Sequence, residues 1–392
     1  MTKTQFLRWL LIFALAISGC SIKLNQLPLG TATSQPNTLL QTPIATNPAP
    51  GGDDQQNTAA TPELPMTQIP VTWANLHLTG KLVYAMGTVE DNNYRIRVQI
   101  LDLVTGEVSI VYTVPINGWI YYVSVSPDSK QLIMSYSPPP GENPAVVQAL
   151  YIMPLDGSKP PELLFTPRIK EDQYMQAEWS PDGKYVYYTH VNYQIPNDPN
   201  RIYPLFEIFR MAYPGGTEES VAKGAYFPRL SLDSARLVYV SVDPLSIKNQ
   251  LTIADPDGKN PQQVVVSGSY VPDVKDAPLF SPDGQSLIFS GAIPVPPQAY
   301  QPNWFEKLVG IRVANANGGT PSDWWSVPVS GGDITRITNI QTSSLYASVS
   351  PDKEYIASFS AGGIFVMKPD GSELTLVVPN LDGFSGTVNW IP

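Results

Sequence analysis

Few residues in this chain have the type and spacing that covalent chemistry needs. There are two histidines, His77 and His190, and one cysteine, Cys20. Two histidines cannot build a multi-histidine metal site, and a lone cysteine cannot close a disulfide within the chain. The nearest approach to a nucleophile elbow, Ser358-Phe359-Ser360-Ala361-Gly362, lacks the first glycine of G-x-S-x-G. Asp255-Pro256-Asp257-Gly258-Lys259-Asn260 opens like a calcium loop, but no glutamate stands at the twelfth loop position. The same turn recurs as LDGSK (155–159) and PDGSE (369–373), so a hairpin turn is expected there. Inner-strand acids such as Glu178 are the only support for glycosidase-like acid chemistry, and His190 is expected at the surface or a blade rim. No catalytic residue, metal or cofactor is expected.

The residues suited to binding are aromatics in or beside long polar connections: Tyr193, Tyr203, Tyr300, Trp304, Phe305, Trp324 and Trp325. An apolar ring with a polar tip serves protein and glycan contacts, and it serves equally to pack an insertion onto a scaffold. Both roles stay open at this stage. The formal net charge of −10 repels phosphate backbones, so nucleic acid is not an expected partner.

The scaffold that must hold these residues is written as a repeat. VSVSPDSKQLIMSYS (123–137), AEWSPDGKYVYYTH (177–190), PRLSLDSARLVYVSV (228–242), PLFSPDGQSLIFSG (278–291) and ASVSPDKEYIASFS (347–360) share one phrase. The marker serines Ser126, Ser180, Ser231, Ser281 and Ser350 recur 54, 51, 50 and 69 residues apart. An apolar strand ends at Ser-Pro-Asp, where proline cannot donate to a ladder and aspartate accepts from turn N–H groups. A second strand follows, then a third and a fourth joined by Gly-containing turns. Strand-like units at a period near 50 predict a propeller of small four-stranded blades.

Two partial units complete six blades. KLVYAMG (81–87), VQILDLVTGEV (98–108) and SIVYTV (109–114) supply outer strands, and TVNWIP (387–392) matches QAEWSP (176–181) before the chain stops. The C-terminal segment is therefore expected to provide the innermost strand of blade 1, with TWANLHLTG (72–80) as the competitor. Second-to-third strand connections are expected at 88–96, 138–146, 191–203, 243–248, 292–322 and 361–362, all on one face.

Ahead of the repeat, Lys3 and Arg8 precede an apolar run from Trp9 to Ile17, too short to span a bilayer as a mature helix. Ile17-Ser18-Gly19-Cys20 resembles the bacterial lipobox. That resemblance implies a signal peptide over 1–19, cleavage before Cys20, lipidation of Cys20 and a place on the outer side of a cell membrane. Ser21 after the cysteine implies the outer membrane where an organism has one. Residues 20–70, rich in Pro, Thr, Asn and Gln, carry no apolar period and read as a disordered tether with a reach of about 35–45 Å. Residues 71–392 remain for the propeller.

The Ser-Pro-Asp-Gly phrase and the strand after it resemble the TolB-like, or WD40-like, propeller repeat over about 77–392. That resemblance implies an all-β, six-bladed fold and fixes no function. TolB itself carries an α/β domain where this chain has the tether, so its role is not implied. TolB-like lyases use histidine clusters with a metal, which two histidines cannot supply. The expected function is a non-enzymatic binding or scaffold lipoprotein that contacts a protein or glycan of the cell envelope. A structural subunit of an envelope complex is the alternative, and an enzyme acting on envelope glycans is a weaker one.

Overall fold

A computed structural model describes residues 66–90, 93–139, 148–167, 172–192, 205–242, 249–293, 321–343, 345–379 and 386–392. Cys20, Tyr193, Tyr203, Tyr300, Trp304 and Phe305 lie outside these residues, as do the signal peptide and the tether before Met66.

The described strands form an all-β, six-bladed propeller. Blade 1 has five strands: Val388–Ile391 innermost, then Lys81–Glu90, Asn93–Asp102, Glu107–Thr113 and, outermost, Met66–Gln68. Blade 2 is Trp119–Val125, Gln131–Ser137, Ala149–Pro154 and Glu162–Leu163; blade 3 is Gln173–Trp179, Tyr185–Asn192, Leu205–Ala212 and Glu218–Lys223. Blade 4 is Ala225–Leu230, Leu237–Val242, Asn249–Ala254 and Gln262–Gln263; blade 5 is Lys275–Phe280, Ser286–Ala292, Ser322–Pro328 and Thr335–Arg336. Blade 6 is Tyr346–Val349, Ile356–Ser360, Gly363–Met367 and Thr375–Pro379. All pairs within blades are antiparallel, and a short parallel pair, Val266–Ser267 with Gly332–Asp333, ties blade 4 to blade 5.

Second strands lie between neighbouring blades and are buried on both faces. This explains why Leu132–Tyr136, Val186–Thr189 and Leu237–Val240 are runs rather than alternations of apolar residues. The marker phrase works as a hydrogen-bonded hub. In each copy the serine hydroxyl donates to the aspartate carboxylate, as in Ser180 to Asp182 at 2.7 Å. The same Oγ accepts the N–H of the residue five further on, at 2.9 Å for Gln131, Tyr185, Arg236, Ser286 and Tyr355. The aspartate also accepts a backbone N–H two residues on, so one short turn leaves few polar groups unpaired.

The turns between third and fourth strands press on the blade before them. A Cβ on Gly371, at φ +85°, would stand 1.8 Å from the Ile337 carbonyl oxygen, and one on Gly258 would stand 2.0 Å from that of Val221. Asp257 accepts the Lys259 N–H at 3.1 Å and Asn260 donates to Asp255 at 2.7 Å, so Asp255–Asn260 is the expected hairpin turn.

The C-terminal segment closes the ring: Lys81 pairs with Ile391 and Tyr84 with Val388. The competing segment forms a 3-10 turn at Ala74–Leu76, with Trp73 buried and its indole N–H donating to Leu103 O at 2.7 Å. Side chains then stitch blade to blade around the axis. Asn389 bonds Val123 O, Ser124 accepts Trp179 N–H, Gln176 accepts Phe227 N–H, and Ser348 accepts Trp390 N–H.

Three details depart from expectation. Met66–Gln68 pairs with Glu107–Ser109 inside the segment read as tether; a three-residue edge pairing is a backbone contact and leaves no apolar period to detect. The segment 88–96 is not a loop, because Lys81–Glu90 and Asn93–Asp102 pair as far as Glu90 with Asn93. The fourth strands of blades 2, 4 and 5 are two residues long, which blunts their outer edges.

Candidate functional site

The innermost strands of blades 2 to 6 each run toward their Ser-x-Asp turn, so the two faces of the disc differ. The turn face carries the hubs described above. Second strands end and third strands begin at the opposite face; in blades 2, 3, 4 and 5 the sequence between them is 140–147, 193–204, 243–248 and 294–320, outside the described residues. The loop aromatics expected to bind fall in two of these stretches.

Trp324 and Trp325 are a different case. They lie on the third strand of blade 5, 0% and 6% exposed. Trp324 Nε1 donates to Ser358 Oγ of blade 6 at 2.7 Å, and Trp325 Nε1 donates to Gly291 O at 3.2 Å. Their faces and polar tips are already used in the core, so of the two roles open to them in the sequence they fill the packing one.

At the axis the inner strands bring two levels of side chains together, two and four residues before the marker serine. At the upper level Tyr122 of blade 2, Phe227 of blade 4 and Tyr346 of blade 6 meet, with Tyr122 centred 6.1 Å from each of the other two. At the lower level Glu178 of blade 3 accepts from Arg229 of blade 4 at 3.0 Å. The Arg229 guanidinium also donates to Ala347 O of blade 6 and lies 4.6 Å from the centre of the Tyr346 ring. Tyr346 Oη donates to Glu178 Oε2 at 3.2 Å. The contacts of Tyr346 and Ala347 with Glu178 and Arg229 join blade 6 to blades 3 and 4, which are not its neighbours, so they cross the axis and obstruct it. Glu178 and Arg229 keep 17% and 15% of their side-chain surface, as expected of groups along a narrow axis. Burial holds the Glu178 carboxyl above its ordinary value against the pull of Arg229 and Tyr346, and the paired charge holds Arg229 upward. Glu178 is thus occupied by a cation and a phenol, which leaves it poorly placed as a free acid.

Above this plug, toward the connection face, sits Asp276 of blade 5, 4% exposed. Tyr226 Oη donates to its Oδ1 at 2.7 Å, and Asn249 Nδ2 lies 3.0 Å from the same Oη. Burial pushes the Asp276 carboxyl up to about 6, with only the Tyr226 hydrogen bond opposing it. Tyr122 is pushed to about 12 chiefly by burial, with Gln176 lowering it and the Asp276 charge raising it. The backbone here is unusual: Gln176, Phe227 and Ala277, at the same position in blades 3, 4 and 5, have φ of 54°, 56° and 45°. Each lies where the inner strand slips register against the second strand. A bulky residue such as Phe227 pays a steric cost in this region, and such strain clusters where a side chain must be aimed.

His190 donates or accepts through Nε2 with Asp172 Oδ2 at 2.8 Å, and its ring stacks on Tyr174 at 4.9 Å. That is a packed rim position, as expected. His77 is exposed at the end of the 3-10 turn in a different part of the fold. Among the described residues no three His, Cys, Asp or Glu side chains are grouped to hold a metal ion.

Sequence reading singled out Glu178 and missed Tyr122, Tyr226, Phe227, Asp276 and Tyr346. A signal for three of them was present: an aromatic residue four positions before the marker serine in alternate repeats. Asp276 had no such signal, because strict strand alternation places it off the axis and only the bulge brings it to Tyr226.

No family model and no curated protein matches the sequence. Among solved structures the chain is similar to a putative TolB from Agrobacterium tumefaciens, at 16% identity and a TM-score of 0.48 over 80% of this chain and 99% of that one. It is similar to TolB from Acinetobacter baumannii at 14% identity and 0.43, over 81% and 74% of the two chains. It is similar to the tricorn protease at 14% and 0.48, over 80% of this chain and 30% of that one. These are likenesses to TolB-like and other propellers, and they leave the specific function open.

Proposed function

We propose that this chain is an extracytoplasmic lipoprotein, held to a cell membrane through a lipid on Cys20, whose connection face binds a protein or glycan of the cell envelope without catalysis. The observation that carries this reading is the inequality of the two faces. The turn face repeats one short hub in blades 2 to 6, whose polar groups bond one another. The strand ends that border 140–147, 193–204, 243–248 and 294–320 lie at the opposite face, and the sequence between them includes Tyr193, Tyr203, Tyr300, Trp304 and Phe305. Rigid scaffolds with long loops on one side commonly bind there. The plug of Glu178, Arg229 and Tyr346 supports the same reading, since it directs recognition to a face and away from passage along the axis.

The test is affinity capture from native membranes with the intact chain and with a variant lacking 294–320. Loss of partners from the variant, at unchanged thermal stability, is the expected result. Recovery of the same partners by both would remove the connection face as the site.

A further inference from the structure

Asp276 is a buried carboxylate with too few partners. Tyr226 Oη is the only donor it has among the described residues, and it serves Oδ1. Among the described residues nothing donates to Oδ2, although that atom is not sealed away from a water-sized probe. An ionised carboxylate offers about four acceptor sites, and a buried charge without a partner is costly. Its chain neighbour Lys275 does not answer it: that ammonium donates to Pro272 O at 2.7 Å. Arg229 is committed to Glu178, Ala347 and Tyr346. The titratable groups that do face Asp276 are the phenols of Tyr226 and Tyr122, each of which feels its charge.

The surroundings are aromatic. Tyr226 is centred 5.3 Å from Phe227, and Phe227 6.1 Å from Tyr122. Aromatic faces attract cations, and elsewhere this chain fills such faces itself: Arg229 over Tyr346, Arg210 over Tyr185 at 4.7 Å, Lys368 over Tyr355 at 4.0 Å. At Asp276 an acid and three aromatic rings stand together with no cation supplied by the described residues. The net charge of −10 adds long-range attraction for one from outside.

We propose that Asp276, Tyr226, Tyr122 and Phe227 form a seat for an alkylammonium group at the connection-face end of the axis, floored by the Arg229–Tyr346 plug. The group is a free organic amine or the side chain of a lysine on a partner. The seat rests on the reading that this face binds, and gives that face one chemical preference. The carboxylate takes the ammonium N–H groups through Oδ2, and the rings cover the adjoining methylenes.

The test is titration of the intact mature chain with n-butylammonium, with a lysine-containing peptide blocked at both ends, and with neutral n-butanol, followed by calorimetry or NMR. At pH 7.5 butylammonium is expected to bind and butanol to bind at least tenfold more weakly. Binding by butylammonium alone assigns the seat to free amines; binding by the peptide as well assigns it to lysine side chains. Affinity should fall about tenfold between pH 7.5 and 5 as Asp276 takes its proton. Asp276→Asn should lose binding while its melting temperature at pH 7.5 stays at or above that of the unaltered chain, which separates a lost ligand from a lost fold. Equal binding by this variant, equal binding of butanol, or no binding of either amine by the folded chain would overturn the seat. Any of these leaves the binding-face reading to be decided by the 294–320 deletion.

Discussion

Glu178 of blade 3 and Tyr346 of blade 6 meet across the propeller axis, Oη to Oε2, at 3.2 Å. The two blades stand opposite each other in the ring, so this contact, with Arg229 between them, sets the width of the axis and fills it. Removing Arg229 would leave the Glu178 charge buried with no opposite charge and only the Tyr346 hydroxyl to answer it. Arg229→Ala is expected to destabilise by about 3–5 kcal/mol, and the double change Glu178→Leu with Arg229→Met to recover most of that. Urea denaturation of the two variants is the measurement.

Ring closure depends on the last residues. Trp390 is 7% exposed and its indole donates to Thr79 O at 2.9 Å. Trp390→Ala is expected to cost about 3–5 kcal/mol, and deletion of 387–392 to bare the edge of Lys81–Glu90 and promote aggregation. Thermal melting and light scattering report the two effects.

The tryptophans of blade 5 and Trp304 of the connection separate fold from binding. Trp324→Ala is expected to lower stability by about 3–5 kcal/mol with partner capture unchanged once the protein is folded. Trp304→Ala is expected to lower capture and leave the melting temperature within about 1 °C, as for a residue that serves binding and not packing. Parallel melts and pulldowns distinguish them.

Two aspartates should respond to pH with opposite sign. The Ser180 hydroxyl and the groups of Lys184 hold Asp182 down at about 2, so the stability it lends is present above the ordinary carboxylate value and is lost as pH falls toward 2. Asp276 is held up at about 6, so its ionisation subtracts stability progressively as pH rises from about 4 through 6. Asp276→Asn should therefore gain about 1–3 kcal/mol relative to the unaltered chain at pH 7.5 and little at pH 4. Denaturation curves at the two pH values check the sign.

Cys20→Ala is expected to release the chain from membranes and to abolish labelling by radioactive palmitate. One acyl chain holds only marginally and two or more hold stably, so the loss should be nearly complete. Fractionation with metabolic labelling is the assay.

The fold was legible because the repeat is periodic and its turn chemistry is local. Ser281, Pro282, Asp283 and Gly284 need only one another and Ser286 to make their turn, so the phrase carries its structure wherever it stands. TVNWIP was readable as the closing strand because it copies the end of a repeat. The axis was not legible in the same way. Arg229 meets Ala347, 118 residues away, and Asp276 meets Tyr226 only because a bulge turns the strand there. Trp324 and Trp325 were ambiguous because a loop aromatic and a core aromatic look alike when they sit side by side at a strand start.

The most direct test of a one-faced binder is photocrosslinking from both faces. A photoreactive residue replaces Tyr121, 36% exposed near the connection face, in one preparation, and Leu232, 39% exposed in a Ser-Leu-Asp turn, in another. Crosslinked partners from position 121 with none from position 232 are predicted in native membranes. Adducts from position 232 alone, or equally from both, would contradict the account.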